Sequence, residues 1–104
     1  MNMSNQGPGL SIIANIDGWT IQGEIDAHSA SLLAAAMAEL PDVPEVIADV
    51  SGVTFMDSSG LRVFMDVAMR VSDSVKSFVL AHPQPPIRRV VEISGLSDHL
   101  LLVD

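Results

Sequence analysis

Residues 46–71 read VIADVSGVTFMDSSGLRVFMDVAMRV, and the change of pattern within them decides the fold. The first five, residues 46–50, are apolar and rich in β-branched side chains, as is typical of a strand covered by helices. Residues 51–57 are predicted to form a loop. A helix of about four turns is then predicted, because apolar residues recur at helical spacing at Leu61, Phe64, Ala68, Val71 and Val75.

The segments before this stretch predict an antiparallel start. Leu10–Ile16 and Trp19–Gln22 are strand-like, and the Asp17-Gly18 dipeptide between them favours a tight hairpin turn. Ser29–Leu40 carries apolar residues at helical spacing and is predicted to be the first helix. Residues 1–9 are predicted to be a flexible N-terminal tail.

The segments after it continue the alternation of strands and helices. Residues 78–81 are predicted to be a strand, and the prolines of residues 83–86 introduce a third helix that ends at Ser94, with Leu96 folding back on it. Leu100–Val103 is predicted to be a closing strand. The order ββαβαβαβ predicts an α/β fold, with an opening β-hairpin followed by βαβ units. We expect a four- to five-stranded mixed sheet, about three to four helices and one domain over residues 10–104.

The charge composition excludes several classes of partner. The chain has 104 residues, of which 13 are acidic and 5 basic, and its formal net charge is −8. It therefore offers no cationic surface for a phosphate backbone, and neither nucleic acid nor an anionic membrane is an expected partner. Direct membrane insertion is not expected, because no apolar run approaches the roughly 18 residues of a spanning helix. The start of the chain lacks the pattern of a signal peptide, so a cytoplasmic location is expected.

Metal and thiol chemistry are not expected either. The chain has no cysteine, and its three histidines, His28, His82 and His99, do not have the spacing of metal ligands.

Residues 53–61, VTFMDSSGL, place an acid, two hydroxyls and a glycine where the loop becomes the helix. We expect Asp57 to be the N-cap, with Ser58, Ser59 and Gly60 in the first turn. Backbone N–H groups there lack helical partners, and the helix dipole favours negative charge. A phosphate would therefore be tolerated at this position. The alternative, that these residues only cap the helix, stays open.

One flank of the same helix lies outside its main apolar stripe and carries Ser58, Arg62, Met65 and Met69. Methionine is a flexible apolar contact, so Met65 and Met69 either face a partner or pack against a neighbouring element. Arg62 lies one turn from Ser58 and either pairs with a phosphate there or is a solvated surface residue. Both pairs of alternatives stay open.

Three segments carry a resemblance to a known family: residues 23–26 (GEID), 49–61 (DVSGVTFMDSSGL) and 87–96 (IRRVVEISGL). With these segments the chain resembles the STAS family, specifically the bacterial anti-sigma factor antagonists, over nearly everything from residue 10 to 103. The resemblance implies that Ser58 is phosphorylated and that Ser59 is the second hydroxyl of the motif.

The resemblance also implies partners. An anti-sigma factor with a GHKL-type ATPase fold binds the unphosphorylated form, which frees a sigma factor, and then phosphorylates Ser58. ATP and Mg²⁺ are bound by that kinase, so no cofactor is expected in this chain, and a PP2C-type phosphatase reverses the reaction. Asp26 is implied to lie near Ser58 on the partner surface, although it is also a candidate cap for the first helix. The candidate partner-binding residues are Asp26, Asp57, Ser58, Ser59, Gly60, Arg62, Met65 and Met69.

Two other functions compete with this one. A STAS scaffold or regulatory subunit of a membrane transporter would dock through the same helix without phosphorylation, and the intact motif of residues 57–60 argues against it. A hydrolase using Ser58 with His28 would need a nucleophile elbow of the Gly-x-Ser-x-Gly type, which the sequence lacks. The chain is therefore not expected to be an enzyme.

Overall fold

The structure, a computed structural model, describes residues 4–7, 9–74, 76–95 and 100–104. It contains six strands and three helices over these residues. In chain order they are β1 (Ser4–Gly7), β2 (Leu10–Asn15), β3 (Gly18–Ile25), α1 (Ala30–Ala36), β4 (Glu45–Met56), α2 (Ser58–Ser72), β5 (Ser77–Ala81), α3 (Pro85–Ile93) and β6 (Leu101–Val103).

The strands form one mixed sheet in the order β1-β2-β3-β4-β5-β6. The first three strands are antiparallel neighbours, and β3, β4, β5 and β6 are parallel neighbours. Every parallel connection moves in the same direction across the sheet, so right-handed crossovers place all three helices on one face. The predicted α/β order, a hairpin followed by βαβ units, is confirmed.

A single apolar core lies between the sheet and the helices. Leu33 of α1, Phe64 of α2 and Ile87 of α3 belong to one cluster with alternate residues of the strands. The apolar stripe of α2 is close to its prediction, because Leu61, Phe64 and Val71 are buried. The difference is that Val67 is buried where Ala68 was predicted to be, and Ala68 is half-buried. Val75 and Leu96, which were predicted to contact this core and α3, lie outside the described residues.

Two predictions about strands were wrong. Part of the predicted flexible tail, Ser4–Gly7, is strand β1, which pairs with β2 through its backbone and adds a sixth strand. The predicted loop of residues 51–57 is largely strand, because β4 continues to Met56 beside β3. The polar residues that suggested a loop, among them Ser51 and Thr54, are exposed on this extension.

The first helix is shorter than predicted, ending at Ala36 instead of Leu40. Its last carbonyls are taken by donors from elsewhere in the fold. The indole Nε1 of Trp19 donates to the Ala36 carbonyl over 3.1 Å, and the Arg70 guanidinium donates to the Met37 and Ala38 carbonyls over 3.0 and 2.9 Å. These bonds satisfy carbonyls at and just after the end of α1, which have no intrahelical partner.

Candidate functional site

The site lies where β3 and β4 end and α2 begins, and we call residues 24–26 and 55–58 the carboxyl rim. The Asp57 backbone N–H donates to the Ile25 carbonyl over 3.1 Å, which joins the ends of the two strands. The Asp57 carboxylate accepts a hydrogen bond from the Ser59 N–H over 2.8 Å. Asp57 is therefore the N-cap of α2, as predicted.

Ser58 is the first residue of α2, and its side chain is exposed. Its hydroxyl makes no hydrogen bond to any other described residue. Ser59 is half-buried and supplies the N–H that Asp57 caps. Of the two hydroxyls in the motif, that of Ser58 is the more open to an approaching molecule.

Gly60 is buried, and its role is packing. A Cβ at this position would lie 2.6 Å from Ile25 Cγ2 and 2.7 Å from Met56 Cγ, distances that real Cβ atoms essentially never show. The first turn of α2 thus lies directly on the ends of β3 and β4. Gly60 was predicted to lie in this turn and to be a candidate partner-binding residue, and the packing contact was not predicted.

The end of β3 is held by a second close approach. Gly23 has a φ of +107°, and a Cβ there would lie 1.9 Å from the Gly9 carbonyl oxygen. That oxygen accepts a hydrogen bond from the Glu24 N–H over 2.7 Å. The glycine of the Gly-Glu-Ile-Asp segment therefore lets the chain reach the rim in this conformation.

Asp26 follows β3 and closes a turn ahead of α1. Its Oδ1 accepts hydrogen bonds from the His28 and Ser29 N–H groups over 2.9 and 3.0 Å. The hydrogen bond from the Ser29 backbone is the largest cause that lowers the pKa of the Asp26 carboxyl below its ordinary 3.8. Asp26 is thus an ionised, half-buried member of the rim that organises the turn before α1. The N-cap of α1 is Ser29 instead of Asp26, and the partner-binding role of Asp26 stays a prediction.

Ser29 is a site residue that sequence reasoning missed. It is completely buried, and it is the only polar residue in the core among those described. Its hydroxyl donates to the Glu24 carbonyl over 3.0 Å and accepts from the Asp26 N–H over 2.9 Å. In the sequence, a serine at the start of a helix looks like an ordinary cap. Only its hydrogen bonds show that Ser29 links the start of α1 to the backbone of the rim at Glu24 and Asp26.

Replacing Ser29 by alanine is expected to destabilise the protein by about 1–3 kcal/mol, because the Asp26 N–H and Glu24 carbonyl lose their buried partner. Urea unfolding followed by circular dichroism measures the change. Ser31→Ala is the matched control, since Ser31 is exposed on α1 and its loss should cost less than about 0.5 kcal/mol. Equal losses for the two variants would contradict the role given to Ser29.

The flank of α2 is not one continuous surface. Met65 is half-buried and packs against the core, so the packing alternative describes it. Met69 is 63% exposed, but it lies about 16 Å along the axis from Ser58 at 1.5 Å per residue. A partner that contacts Ser58 reaches Met69 only if it covers most of the helix.

Arg62 is exposed one turn after Ser58. Three of the basic residues form ion pairs, Arg70 with Asp66, Lys76 with Asp42 and Arg88 with Asp104. Arg62 forms no ion pair or hydrogen bond with the described residues. Among the described residues, the Arg62 guanidinium therefore has no acidic partner, although it lies one turn from the acidic rim.

Three further features of the described part of the chain bear on catalysis, metal binding and membrane crossing. His28 is exposed, and no hydrogen bond joins it to Ser58. No group of three or more potential metal ligands occurs among the described residues. Of the helices in these ranges, none has the length and apolar character that crossing a membrane requires.

Comparison with known proteins agrees with this geometry. The family profile described as "Mlab, STAS domain" matches residues 18–104. This chain belongs to the STAS domain family. The resemblance drawn from its GEID, DSSG and IRRVVEISGL segments is thus confirmed, and the carboxyl rim contains the end of the first segment and the start of the second.

Relatives of this STAS domain include regulators of sigma factors. It is 36% identical over 81 residues to the anti-sigma-B factor antagonist of Listeria monocytogenes. The match covers 75% of this chain and 70% of that protein. An anti-sigma factor antagonist from Mycobacterium paratuberculosis has the same fold, with a TM-score of 0.73, 24% identity and coverage of 99% of this chain and 84% of that one.

The fold is also that of SpoIIAA, an anti-sigma factor antagonist known in two forms. The unphosphorylated form gives a TM-score of 0.68 at 22% identity and covers 91% of this chain and 88% of that one. The phosphorylated form, from Bacillus, gives a TM-score of 0.63 at 21% identity, with 91% of each chain covered.

Proposed function

We propose that this protein is an anti-sigma factor antagonist and that phosphorylation of Ser58 ends its complex with the anti-sigma factor. The observation that carries the proposal is the exposed Ser58 hydroxyl at the head of α2, directly after the Asp57 cap. The relationship to anti-sigma factor antagonists supplies the class of partner.

The proposed partner is an anti-sigma factor with a GHKL-type ATPase fold. It binds the unphosphorylated protein, and a sigma factor is released. In the phosphorylation step the Ser58 Oγ attacks the γ-phosphorus of ATP, the hydroxyl proton passes to a base of the kinase, the bond from the γ-phosphorus to the bridging oxygen breaks and ADP leaves. ATP and Mg²⁺ are held by the kinase, so this chain supplies the acceptor hydroxyl and no catalytic group. A PP2C-type phosphatase hydrolyses the phosphoserine, and the cycle takes place in the cytoplasm.

The local charges explain how a phosphate could separate the two proteins without refolding this one. Phosphorylation adds a charge of about −1.5 to −2, and the N-terminus of a helix tolerates that charge. The same charge then lies beside Asp57 and faces the phosphates of the nucleotide from which it came. Like-charge contact of this kind costs several kcal/mol across an interface.

The proposal is tested by incubating the purified protein with each GHKL-type anti-sigma factor of its source genome and ATP. Mass spectrometry should find one phosphate on Ser58 with the cognate kinase. Ser58→Ala should remain unmodified, whereas Ser59→Ala, the matched control in the same turn, should still be phosphorylated. A phosphate on Ser59, or none with any of these kinases, would contradict the proposal. The transporter-subunit alternative predicts no phosphate at all.

A further inference from the structure

Phe55 is an aromatic side chain exposed on the carboxyl rim, three residues before Ser58. It is 48% exposed, whereas the next residue, Met56, is 3% exposed and belongs to the core. Phe55 falls in the segment that was predicted to be a loop, and no role was predicted for it. In the structure this segment is largely strand, so the exposure of Phe55 beside the buried Met56 follows from the strand pairing.

A β-bulge turns Phe55 outward. Val53 and Met56 are both buried although they are three residues apart, whereas residues three apart in a regular strand lie on opposite faces. The pairing with β3 resolves this, since Val53 pairs with Gly23 and Phe55 with the next residue, Glu24. Thr54 is thus the additional residue. Bulges commonly redirect a side chain next to a functional site.

The surroundings of Phe55 are acidic. Glu24, its exposed neighbour on β3, Asp26 and Asp57 lie on the same rim, and Arg62 is the nearby basic residue on α2. Two copies of this chain that met through the rim would bring these acids face to face, which is unfavourable. A different protein, with an apolar pocket for the ring and basic groups facing Glu24 and Asp26, fits this rim better.

We propose that Phe55 is the apolar anchor of the interface with the anti-sigma factor, which receives the ring in a pocket next to the place where it engages Ser58. The inference rests on the proposed function. Binding energy in protein interfaces is concentrated in a few residues, often aromatic ones surrounded by polar groups. Phe55 is the aromatic side chain that the rim offers, and it precedes Ser58 by three residues.

The test compares Phe55→Ala with Ile93→Ala. Ile93 is 75% exposed at the end of α3, at the opposite end of the sheet from the rim. Isothermal titration calorimetry with the anti-sigma factor that phosphorylates Ser58 should show affinity at least tenfold lower for Phe55→Ala and within twofold of wild type for Ile93→Ala. Phe55→Leu should lose less than Phe55→Ala, because it keeps an apolar side chain. Circular dichroism should show the same fold for all three variants.

Affinity for Phe55→Ala equal to that of Ile93→Ala would overturn the anchor while leaving the phosphorylation of Ser58 and the proposed function intact. If no GHKL-type anti-sigma factor binds the wild-type chain, the proposed function fails, and the anchor fails with it. Sedimentation of the protein alone gives a further check. A dimer of the wild type that Phe55→Ala abolishes would assign the ring to a second copy of this chain and overturn the proposal.

Discussion

Glutamate at position 58 is expected to weaken binding to the anti-sigma factor at least tenfold relative to Ser58→Ala, a difference of about 1.4 kcal/mol. The reason is charge, since Ser58 is exposed beside Asp57, and in the proposed complex a carboxylate there would face the partner's nucleotide. The alanine variant should bind about as well as the unphosphorylated wild type. Calorimetric titration of each variant with the kinase and ADP measures the affinities.

The Ser58→Gln variant separates the effect of side-chain size on binding from the effect of charge. Its glutamine has nearly the shape of glutamate without the charge. We expect the glutamine variant to lose clearly less affinity than the glutamate variant. The fold should be unaffected, because an acidic residue in the first turn of a helix is stabilising by about 0.3–1 kcal/mol. Equal binding by the alanine and glutamate variants would count against an electrostatic switch, and equal losses for glutamine and glutamate would point to steric exclusion.

Alanine at position 60 is expected to destabilise the protein by about 1–2 kcal/mol. Its Cβ would overlap Ile25 and Met56, and overpacking of this kind costs about 1–3 kcal/mol. The gain in helix propensity from glycine to alanine, about 0.5–1 kcal/mol, offsets only part of that cost. Thermal unfolding should show a midpoint lower by about 4–8 °C for each kcal/mol lost.

The cause of that loss is tested by combining Gly60→Ala with Met56→Ala, which removes the Cγ and Sδ atoms in the way. The double variant should be more stable than the sum of the two single losses predicts, because residues in direct contact are coupled. Simple additivity would mean that the contact with Met56 is not the origin of the effect.

Much of the fold could be predicted because its signals are local. The hairpin, the parallel units and α2 each follow from turn residues or apolar spacing within a short segment. The misassigned segments depend on partners outside themselves, which for β1 is the next strand along the chain and for the end of α1 are distant side chains. Strand β1 is set by backbone pairing with β2, and α1 ends where Trp19 and Arg70 take its carbonyls. Neither partner is visible in the segment itself.

The same distinction between local signals and contacts outside the segment applies to the candidate site. The cap by Asp57 and the position of Ser58 at the head of α2 were predictable, because both depend on the order of residues in one segment. The buried hydroxyl of Ser29 and the exposed ring of Phe55 were not. The first is explained by its bonds to the end of β3, and the second by a bulge in the pairing of β3 with β4.

From its order of residues alone, this chain determines a buried strand and, after it, a capped helix with a serine at its head, because caps and apolar periodicity act within a few residues. Tertiary structure decides which side chains surround that serine. Strand register and the close approach at Gly60 bring Asp26, Phe55 and Ser58 to one rim, and these contacts join segments that are far apart in the chain.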